Sequence, residues 1–201
     1  AWLYNADYVS DYGYIKFKKI FSNFNTYKDY FKDTDNPIWH EVKDNIIRFN
    51  PDWVGYTSYT ANISAIKIIS DKVKKANPSI KQVVGGVHAT LDSDILKTLT
   101  SVDYSIQREG EEAFTALVEN RNPKHIPGVV SRDTGGILFK TGIAPVIKDI
   151  DNLPMPEREK FWNIPEAEKK NVDVSYVNTI RGCPYKCTYC ASPFHWDRKT
   201  T

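Results

Sequence analysis

Apolar and polar positions along residues 36–120 follow two alternating periods. Apolar residues spaced three or four apart predict amphipathic helices over 38–49, 62–75, 91–99 and 111–119. Short apolar runs rich in β-branched residues predict strands over 53–58, 80–84 and 102–107. Repeated strand–helix units form a parallel sheet with helices on both faces. The pattern therefore predicts an α/β fold with a doubly wound parallel sheet.

The pattern changes after residue 126. Residues 128–132 and 136–140 flank Asp133-Thr-Gly-Gly136, and two short strands around such a turn predict a β-hairpin. Residues 143–171 contain four prolines and many charges, which is typical of an extended connector. We therefore expect one domain over 1–142, a linker over 143–172, and the start of a second domain over 173–201.

Polar and glycine-rich segments follow three of the predicted strands. They are Tyr56-Thr57-Ser58-Tyr59-Thr60, Gly85-Gly86-Val87-His88-Ala89-Thr90 and Arg108-Glu109-Gly110-Glu111-Glu112. In an α/β sheet, ligands bind beyond the carboxyl ends of the strands. The glycine pair allows a ligand to approach the backbone, and the hydroxyl groups can bond to its polar atoms. The same residues also occur for turn geometry alone, so both interpretations stay open.

The composition narrows the class of protein. Hydrophobic residues make up 41% of the 201 residues, charged residues 26%, and the net charge is only +2. This balance gives no electrostatic case for binding nucleic acid or an acidic membrane surface. No apolar run reaches the length of a transmembrane helix, and no secretion signal opens the sequence. We therefore expect a globular protein of the cytoplasm. This compartment also keeps cysteines reduced.

Three cysteines, Cys183, Cys187 and Cys190, lie within eight residues of one another, and the sequence has no others. Thiolates gathered on one loop bind soft metals or iron–sulfur clusters. Their odd number and their crowding argue against a disulfide framework. A zinc site normally has four ligands, and His195 is the candidate fourth ligand of a Cys3His site. In a four-iron cluster, three cysteines leave one iron open to a substrate or cosubstrate.

Residues 177–190, VNTIRGCPYKCTYC, resemble the cluster loop of radical S-adenosylmethionine (radical SAM) enzymes, with its Cys-x3-Cys-x2-Cys pattern and an aromatic residue before the last cysteine. The resemblance implies that the cysteines bind a 4Fe-4S cluster whose fourth iron chelates S-adenosylmethionine, and that Tyr189 lies near the adenine. Reduction would then yield a 5′-deoxyadenosyl radical. Residues 174–180 would be the first strand of the (βα) barrel. Because only eleven residues follow Cys190, we expect a piece of a longer enzyme, inactive alone.

Three earlier segments resemble the Rossmann-like cobalamin-binding domain that precedes many radical SAM enzymes. They are Val54-Gly-Tyr-Thr-Ser-Tyr59, Val83-Val-Gly-Gly-Val-His-Ala-Thr90 and Arg108-Glu-Gly-Glu-Glu-Ala113. Their order, with the cluster loop after them, makes the combination more specific than any one segment. The resemblance implies that cobalamin contacts Tyr56, Thr57, Ser58, Tyr59, Gly85, Gly86, Val87, His88, Glu109, Gly110 and Glu111.

The sequence departs from many cobalamin proteins because it lacks Asp-x-His-x-x-Gly, the motif whose histidine ligates cobalt. His88 is a candidate cobalt ligand or, alternatively, a residue that lines the pocket or satisfies its loop. Residues 2–9 resemble the second strand of the family, so the first strand and helix are expected upstream. Residues 11–32 carry an aromatic stripe that predicts a core helix. The alternatives are a lid on the corrinoid edge or a contact with the rest of the barrel.

The resemblance implies the cobalamin-binding portion of a radical SAM enzyme, a methyltransferase that uses methylcobalamin on a small molecule or peptide. One alternative is a radical SAM enzyme whose N-terminal domain binds no cobalamin. Methylthiotransferases of that kind need further cysteines before Cys183, which the sequence lacks. Another alternative is a non-catalytic corrinoid carrier or sensor, which would have no use for the cluster loop. The sequence predicts neither the substrate nor the oligomeric state.

Overall fold

A five-stranded mixed sheet forms the centre of the structure, a computed structural model that describes residues 29–155, 180–197 and 199–200. The strands lie side by side in chain order: β1 (Trp53–Thr57), β2 (Lys81–Gly85), β3 (Tyr104–Ile106), β4 (Val129–Arg132) and β5 (Leu138–Lys140). The first three strands are parallel, whereas β4 and β5 continue the sheet as an antiparallel hairpin. The α/β class is confirmed, and the predicted hairpin extends the parallel sheet.

Helices connect the strands and cover the sheet. They are α1 (Pro37–Phe49), α2 (Ile63–Ala76), α3 (Val87–Leu91), α4 (Ile95–Thr98), α5 (Glu111–Val118) and α6 (Ser192–Trp196). Short 3-10 turns lie at Thr60–Asn62, Pro123–His125 and Ile150–Asn152. No helix in the described part of the chain is both long enough and apolar enough to cross a membrane.

Successive residues of each strand point to opposite faces of the sheet, so neighbouring valines belong to different cores. Val84 packs with residues of α2 and α4, whereas Val83 packs with residues of α5. Helix α1 lies outside α2 and closes a third cluster that contains Val73 and Trp39. Both faces of the sheet are therefore covered, which agrees with the burial of all three central residues of β2.

Helix α1 begins and ends where its sequence predicts. The side chain of Asn36 accepts a hydrogen bond from the backbone N–H of Ile38 at 3.2 Å, and Pro37 occupies the first helical position. Asn50 ends the helix in the left-handed conformation, with φ 51°. The predicted end of this helix at residue 49 is therefore confirmed.

The continuous helix predicted over 91–99 is wrong. The chain instead forms two short helices, α3 and α4, and α3 begins directly after Gly86. Between them the Asp92 carboxylate accepts a hydrogen bond from the N–H of Asp94 at 2.9 Å, a local turn that competes with helix formation. Leu91, expected on the apolar face, is 49% exposed, whereas Ile95 and Leu96 are fully buried.

Some sequence predictions lie outside the described residues. These are the strand over 2–9, most of the aromatic segment over 11–32, the linker from 156 onward, and the barrel strand over 174–180 except Ile180. Of the aromatic segment, Tyr30 and Phe31 are described, and both pack against the cluster that α1 and α2 form.

Candidate functional site

A cleft of about 560 Å³ opens at the carboxyl ends of β1, β2 and β3, beside the first turn of α5. The three segments that the sequence singled out converge here, because parallel strands bring their carboxyl ends to one edge. The lining residues are Gly55, Tyr56, Thr57, Val83, Gly85, Gly86, Ile106, Arg108, Glu109, Gly110, Glu111, Phe114, Arg181, His195 and Trp196.

Glycines form the floor of the cleft. A Cβ atom added to Gly55 would have one neighbour within 4 Å, the Cγ1 atom of Val83 at 3.9 Å. A Cβ added to Gly85 would meet only the carbonyl oxygen of Ile106, at 3.8 Å. Side chains at these positions would therefore occupy the cleft itself. Their absence leaves a slot in which a flat or elongated ligand can lie against backbone.

A sharp turn at Gly86 carries the chain from β2 into α3. Gly86 has φ 95°, and a Cβ there would lie 2.9 Å from the carbonyl oxygen of Ser58 and 3.0 Å from its nitrogen. Glycine is therefore required by both conformation and space. This close approach brings the loops after β1 and β2 together at one wall of the cleft.

Ser58 is fully buried and holds that turn rather than facing the cleft. Its hydroxyl donates a hydrogen bond to the carbonyl oxygen of Gly85 at 2.7 Å and accepts one from the N–H of Ala89 at 3.1 Å. Thr57, the preceding residue, lines the cleft. The two neighbouring hydroxyl residues therefore have different places: Ser58 holds the turn, and Thr57 is available to a ligand in the cleft.

Of four other predicted contact residues, one lines the cleft and three lie outside its lining. Tyr56 lines the cleft, but its hydroxyl donates to the side-chain oxygen of Gln82, and burial raises its pKa above the ordinary range. Tyr59 is 56% exposed and lies outside the cleft lining, as does Val87. His88 also lies outside it, and its Nδ1 atom is 2.9 Å from the hydroxyl of Thr60. The structure thus gathers seven of the predicted contact residues at the cleft and leaves four outside its lining, which are Ser58, Tyr59, Val87 and His88.

The far wall of the cleft comes from the cysteine-containing segment. Arg181 binds Glu109 at 2.8 Å and Glu111 at 2.7 Å, and these hydrogen bonds raise its pKa although burial acts in the opposite direction. His195 is 9% exposed, and burial followed by the charge of Arg108 lowers its pKa, which favours the neutral imidazole. The indole N–H of Trp196 is buried with no hydrogen-bond partner among the described residues.

The three cysteines lie on the loop between Arg181 and α6. All three are free; Cys187 is exposed, whereas Cys183 and Cys190 are partly buried. A turn joins the last two, because the N–H of Cys190 donates to the carbonyl oxygen of Cys187 at 3.2 Å. Within residues 29–155 and 180–200, position 198 excepted, no group of three His, Cys, Asp or Glu side chains is close enough to bind a metal. The donor chemistry suits an iron–sulfur cluster, but the thiols are not gathered, and Tyr189 is 90% exposed.

The chain matches a known family, the B12 binding domain, over residues 6–118. This match covers more than half of the chain. The chain belongs to the B12-binding domain family. The matched residues include strands β1, β2 and β3, the glycines of the cleft floor and helix α5, whereas β4 and β5 follow them along the chain.

Relatives extend the comparison beyond this domain. The chain is 26% identical to an uncharacterised methyltransferase of Pyrococcus horikoshii, over 77% of the chain and 34% of that protein. It is 30% identical to the anaerobic magnesium-protoporphyrin IX monomethyl ester cyclase of Rubrivivax gelatinosus, over 78% of the chain and 30% of the cyclase. The chain therefore spans about a third of the length of these curated relatives.

A solved structure shows the same fold. The radical SAM methyltransferase TsrM from Kitasatospora setae, with cobalamin and a 4Fe-4S cluster bound, superposes with TM-score 0.55. The sequences are 17% identical, and the match covers 84% of this chain and 35% of TsrM. This likeness concerns the fold and agrees with the predicted Rossmann-like, cobalamin-binding architecture.

Sequence reasoning missed several residues of the cleft, among them Gly55, Phe114 and Trp196. Gly55 carried a usable signal, because a glycine inside an otherwise apolar strand indicates close approach of a ligand or backbone. Phe114 and Trp196 carried none, since an apolar helix position and an aromatic residue after the cysteines are equally typical of a core.

Proposed function

We propose that the cleft at the carboxyl edge of the sheet binds cobalamin, and that this chain is the cobalamin-binding portion of a radical SAM enzyme. The supporting observation is the glycine floor made by Gly55, Gly85 and Gly86, which lies where three parallel strands end. A large corrinoid needs an open slot lined by backbone, and these residues supply it without a side chain in the way.

Different residues of the cleft would make different contacts with the corrinoid. The glycines let the ligand lie against the strand ends, and Thr57 offers a hydroxyl at the rim. Gly110 opens α5, while Val83 and Phe114 provide apolar surface on the same side. The protein supplies position and shielding, and the cofactor supplies reactivity.

We further propose that Cys183, Cys187 and Cys190 hold a 4Fe-4S cluster and that Tyr189 lies near the adenine of S-adenosylmethionine. If bound, the cluster and S-adenosylmethionine would supply a 5′-deoxyadenosyl radical for abstraction of hydrogen from the substrate, and the corrinoid would supply a methyl group. The three cysteines must be reduced and deprotonated to act as ligands. Three free cysteines on an accessible loop are consistent with this requirement.

The intact enzyme would then be a methyltransferase acting in the cytoplasm on a small molecule or peptide, and not on nucleic acid. Residues 1–142 would form the cobalamin domain, 143–172 a linker, and 173–201 the start of the radical SAM domain. The carboxyl edge of β1, β2 and β3 would belong to the first of these units. A radical SAM enzyme without cobalamin would fail the corrinoid titration that follows, and a carrier without a cluster would fail the iron analysis.

Titration with hydroxocobalamin tests the corrinoid. The protein is titrated anaerobically and separated by gel filtration, and its visible spectrum is recorded. Retained corrinoid supports the proposal. A spectrum typical of nitrogen ligation would call for His195→Ala, because His195 lines the cleft, and for His88→Ala as its comparison. No retention by this chain or by the full-length protein would overturn the cobalamin proposal.

A graded series at Gly55 locates the binding site. Gly55→Ala, Gly55→Val and Gly55→Leu place increasing bulk on the cleft floor, where a Cβ meets nothing closer than 3.9 Å. We expect corrinoid affinity to fall stepwise while the urea midpoint changes little. Equal affinity across the series would place cobalamin elsewhere.

Iron analysis tests the cluster separately. After anaerobic reconstitution we expect about four irons per chain, the content of one 4Fe-4S cluster. The triple Cys→Ala variant should bind none. Zinc bound instead, with retention lost in His195→Ala, would favour the Cys3His alternative.

A further inference from the structure

The two ends of the cysteine segment are attached to the carboxyl edge of the sheet by ion pairs of opposite polarity. At one end Asp197, a carboxylate, binds Arg108 of the sheet edge. At the other end Arg181, a cation, binds the carboxylates of Glu109 and Glu111. The charges alternate so that the segment can dock in only one orientation, because reversing it would place like charges together.

Arg108 makes the more buried of the two attachments. Its side chain is 7% exposed and forms a two-point ion pair with Asp197, one hydrogen bond of which measures 2.6 Å. The same guanidinium donates to the carbonyl oxygens of Phe194 at 3.2 Å and Ala144 at 3.4 Å. Arginine suits this place because its planar group supplies several donors in fixed directions.

Glu109 makes the second attachment and is 4% exposed at its side chain. One carboxylate oxygen accepts from Arg181, and the other accepts from the N–H of Ile147 at 2.6 Å. Glu111 shares Arg181 from the first turn of α5. A buried carboxylate with both oxygens paired is costly to separate from its cation, so this contact holds firmly.

The chain around the cysteines also closes on itself, and Thr200, which takes part in the closure, lies beyond the attachment at Asp197. Gly182 and Thr200 form an isolated antiparallel bridge, and Cys183, Cys187 and Cys190 lie inside the closure. We propose that Arg108, Glu109 and Glu111 act as a two-point clamp that positions the cysteine loop over the cleft, rather than as ligands of the corrinoid. They are positioning residues; the consequence for catalysis rests on the proposed function, but the clamp itself involves only side chains of this chain.

Hydrogen–deuterium exchange of the full chain tests the clamp without any cofactor. In Asp197→Ala we expect peptides covering 181–197 to exchange about three- to tenfold faster, the range expected when a partly buried ion pair is lost. Peptides covering β2 and β4 should exchange as in the wild type. Asp94→Ala is the matched control, since Asp94 is also an ion-paired aspartate and is 47% exposed against 45% for Asp197.

Arg181 provides a second test that does not depend on a buried residue. Arg181→Gln should speed exchange in the same peptides, and Arg181→Lys, which keeps the charge but loses the fork that reaches both Glu109 and Glu111, should speed it less. If Asp197→Ala also exchanges faster throughout the sheet, Arg181→Gln alone decides the question. Unchanged exchange over 181–197 in Arg181→Gln would overturn the clamp. This result is separable from failure of the cobalamin proposal, which corrinoid retention measures.

Discussion

Ser58 and Gly85 are joined by two hydrogen bonds that end on one oxygen atom. The backbone N–H and the hydroxyl of Ser58 both donate to the carbonyl oxygen of Gly85, each at 2.7 Å. The hydroxyl then accepts from the N–H of Ala89. A single buried serine therefore ties the end of β1 to the end of β2 and to the start of α3, and so shapes one wall of the cleft.

Ser58→Ala should destabilise the protein by about 1–3 kcal/mol, because it leaves the N–H of Ala89 buried without its acceptor. Urea unfolding measures the change. Ser79→Ala is the control, since Ser79 is exposed and should change the free energy of unfolding by less than about 0.5 kcal/mol. Equal effects of the two variants would contradict the role given to Ser58.

Gly86→Ala should lower the free energy of unfolding by more than the strain of placing alanine at a positive φ would do by itself. Its Cβ would lie 2.9 Å from the Ser58 carbonyl oxygen in addition to the strained φ of 95°. We expect a loss of about 2–4 kcal/mol, against about 1 kcal/mol for Gly136→Ala, which has φ 81° and open space around it. Thermal unfolding of both variants distinguishes the steric term from the conformational one. A similar loss in both would show that the loops can separate at no cost.

Tyr56→Phe should lower stability by about 1–3 kcal/mol at neutral pH, because it leaves the oxygen of buried Gln82 unpaired. The substitution should also change how the free energy of unfolding depends on pH in the alkaline range. Burial raises the pKa of Tyr56 in the folded state above its value of about 10 in the unfolded chain, so the wild type loses stability as pH rises above 10. Urea unfolding between pH 8 and about 11 should show a shallower fall for Tyr56→Phe. Tyr59→Phe, at an exposed tyrosine, should keep the wild-type slope.

The pKa of Asp197 should show whether its ion pair with Arg108 is formed. The hydrogen bond from Arg108 lowers the pKa of Asp197 in the folded state below the unfolded value. Its contribution to holding α6 is therefore complete above about pH 4 and is lost as pH falls through the lowered pKa. Carbon-13 NMR titration of aspartate carboxyls measures this midpoint.

In Arg108→Gln the midpoint of Asp197 should return toward about 3.9. The pKa of Asp94 is lowered by hydrogen bonds from Lys140 and Lys97 and should stay unchanged in the same variant. A low midpoint for Asp197 that persists without Arg108 would mean that another group holds the carboxylate.

Local patterns predicted the elements well where one short-range effect dominates. Helix α1 is set by Asn36 and Pro37 at its start and by Asn50 at its end, all within a few residues. The hairpin follows from the turn at 133–136. The helix over 91–99 failed because the Asp92 turn and the packing of Ile95 outweighed the apolar spacing, which cannot reveal a side-chain acceptor.

The sequence by itself determined the strand–helix order, the glycine-rich strand ends and the cysteine loop, because each is written in residues that are neighbours along the chain. Only the tertiary structure decided the rest. It turned Ser58 inward while Thr57 lines the cleft, left His88 outside the cleft lining, and brought Arg108 to Asp197 across 89 positions. Spacing and composition carry no information about such long-range pairs, since burial and charge complementarity arise only when the chain is folded.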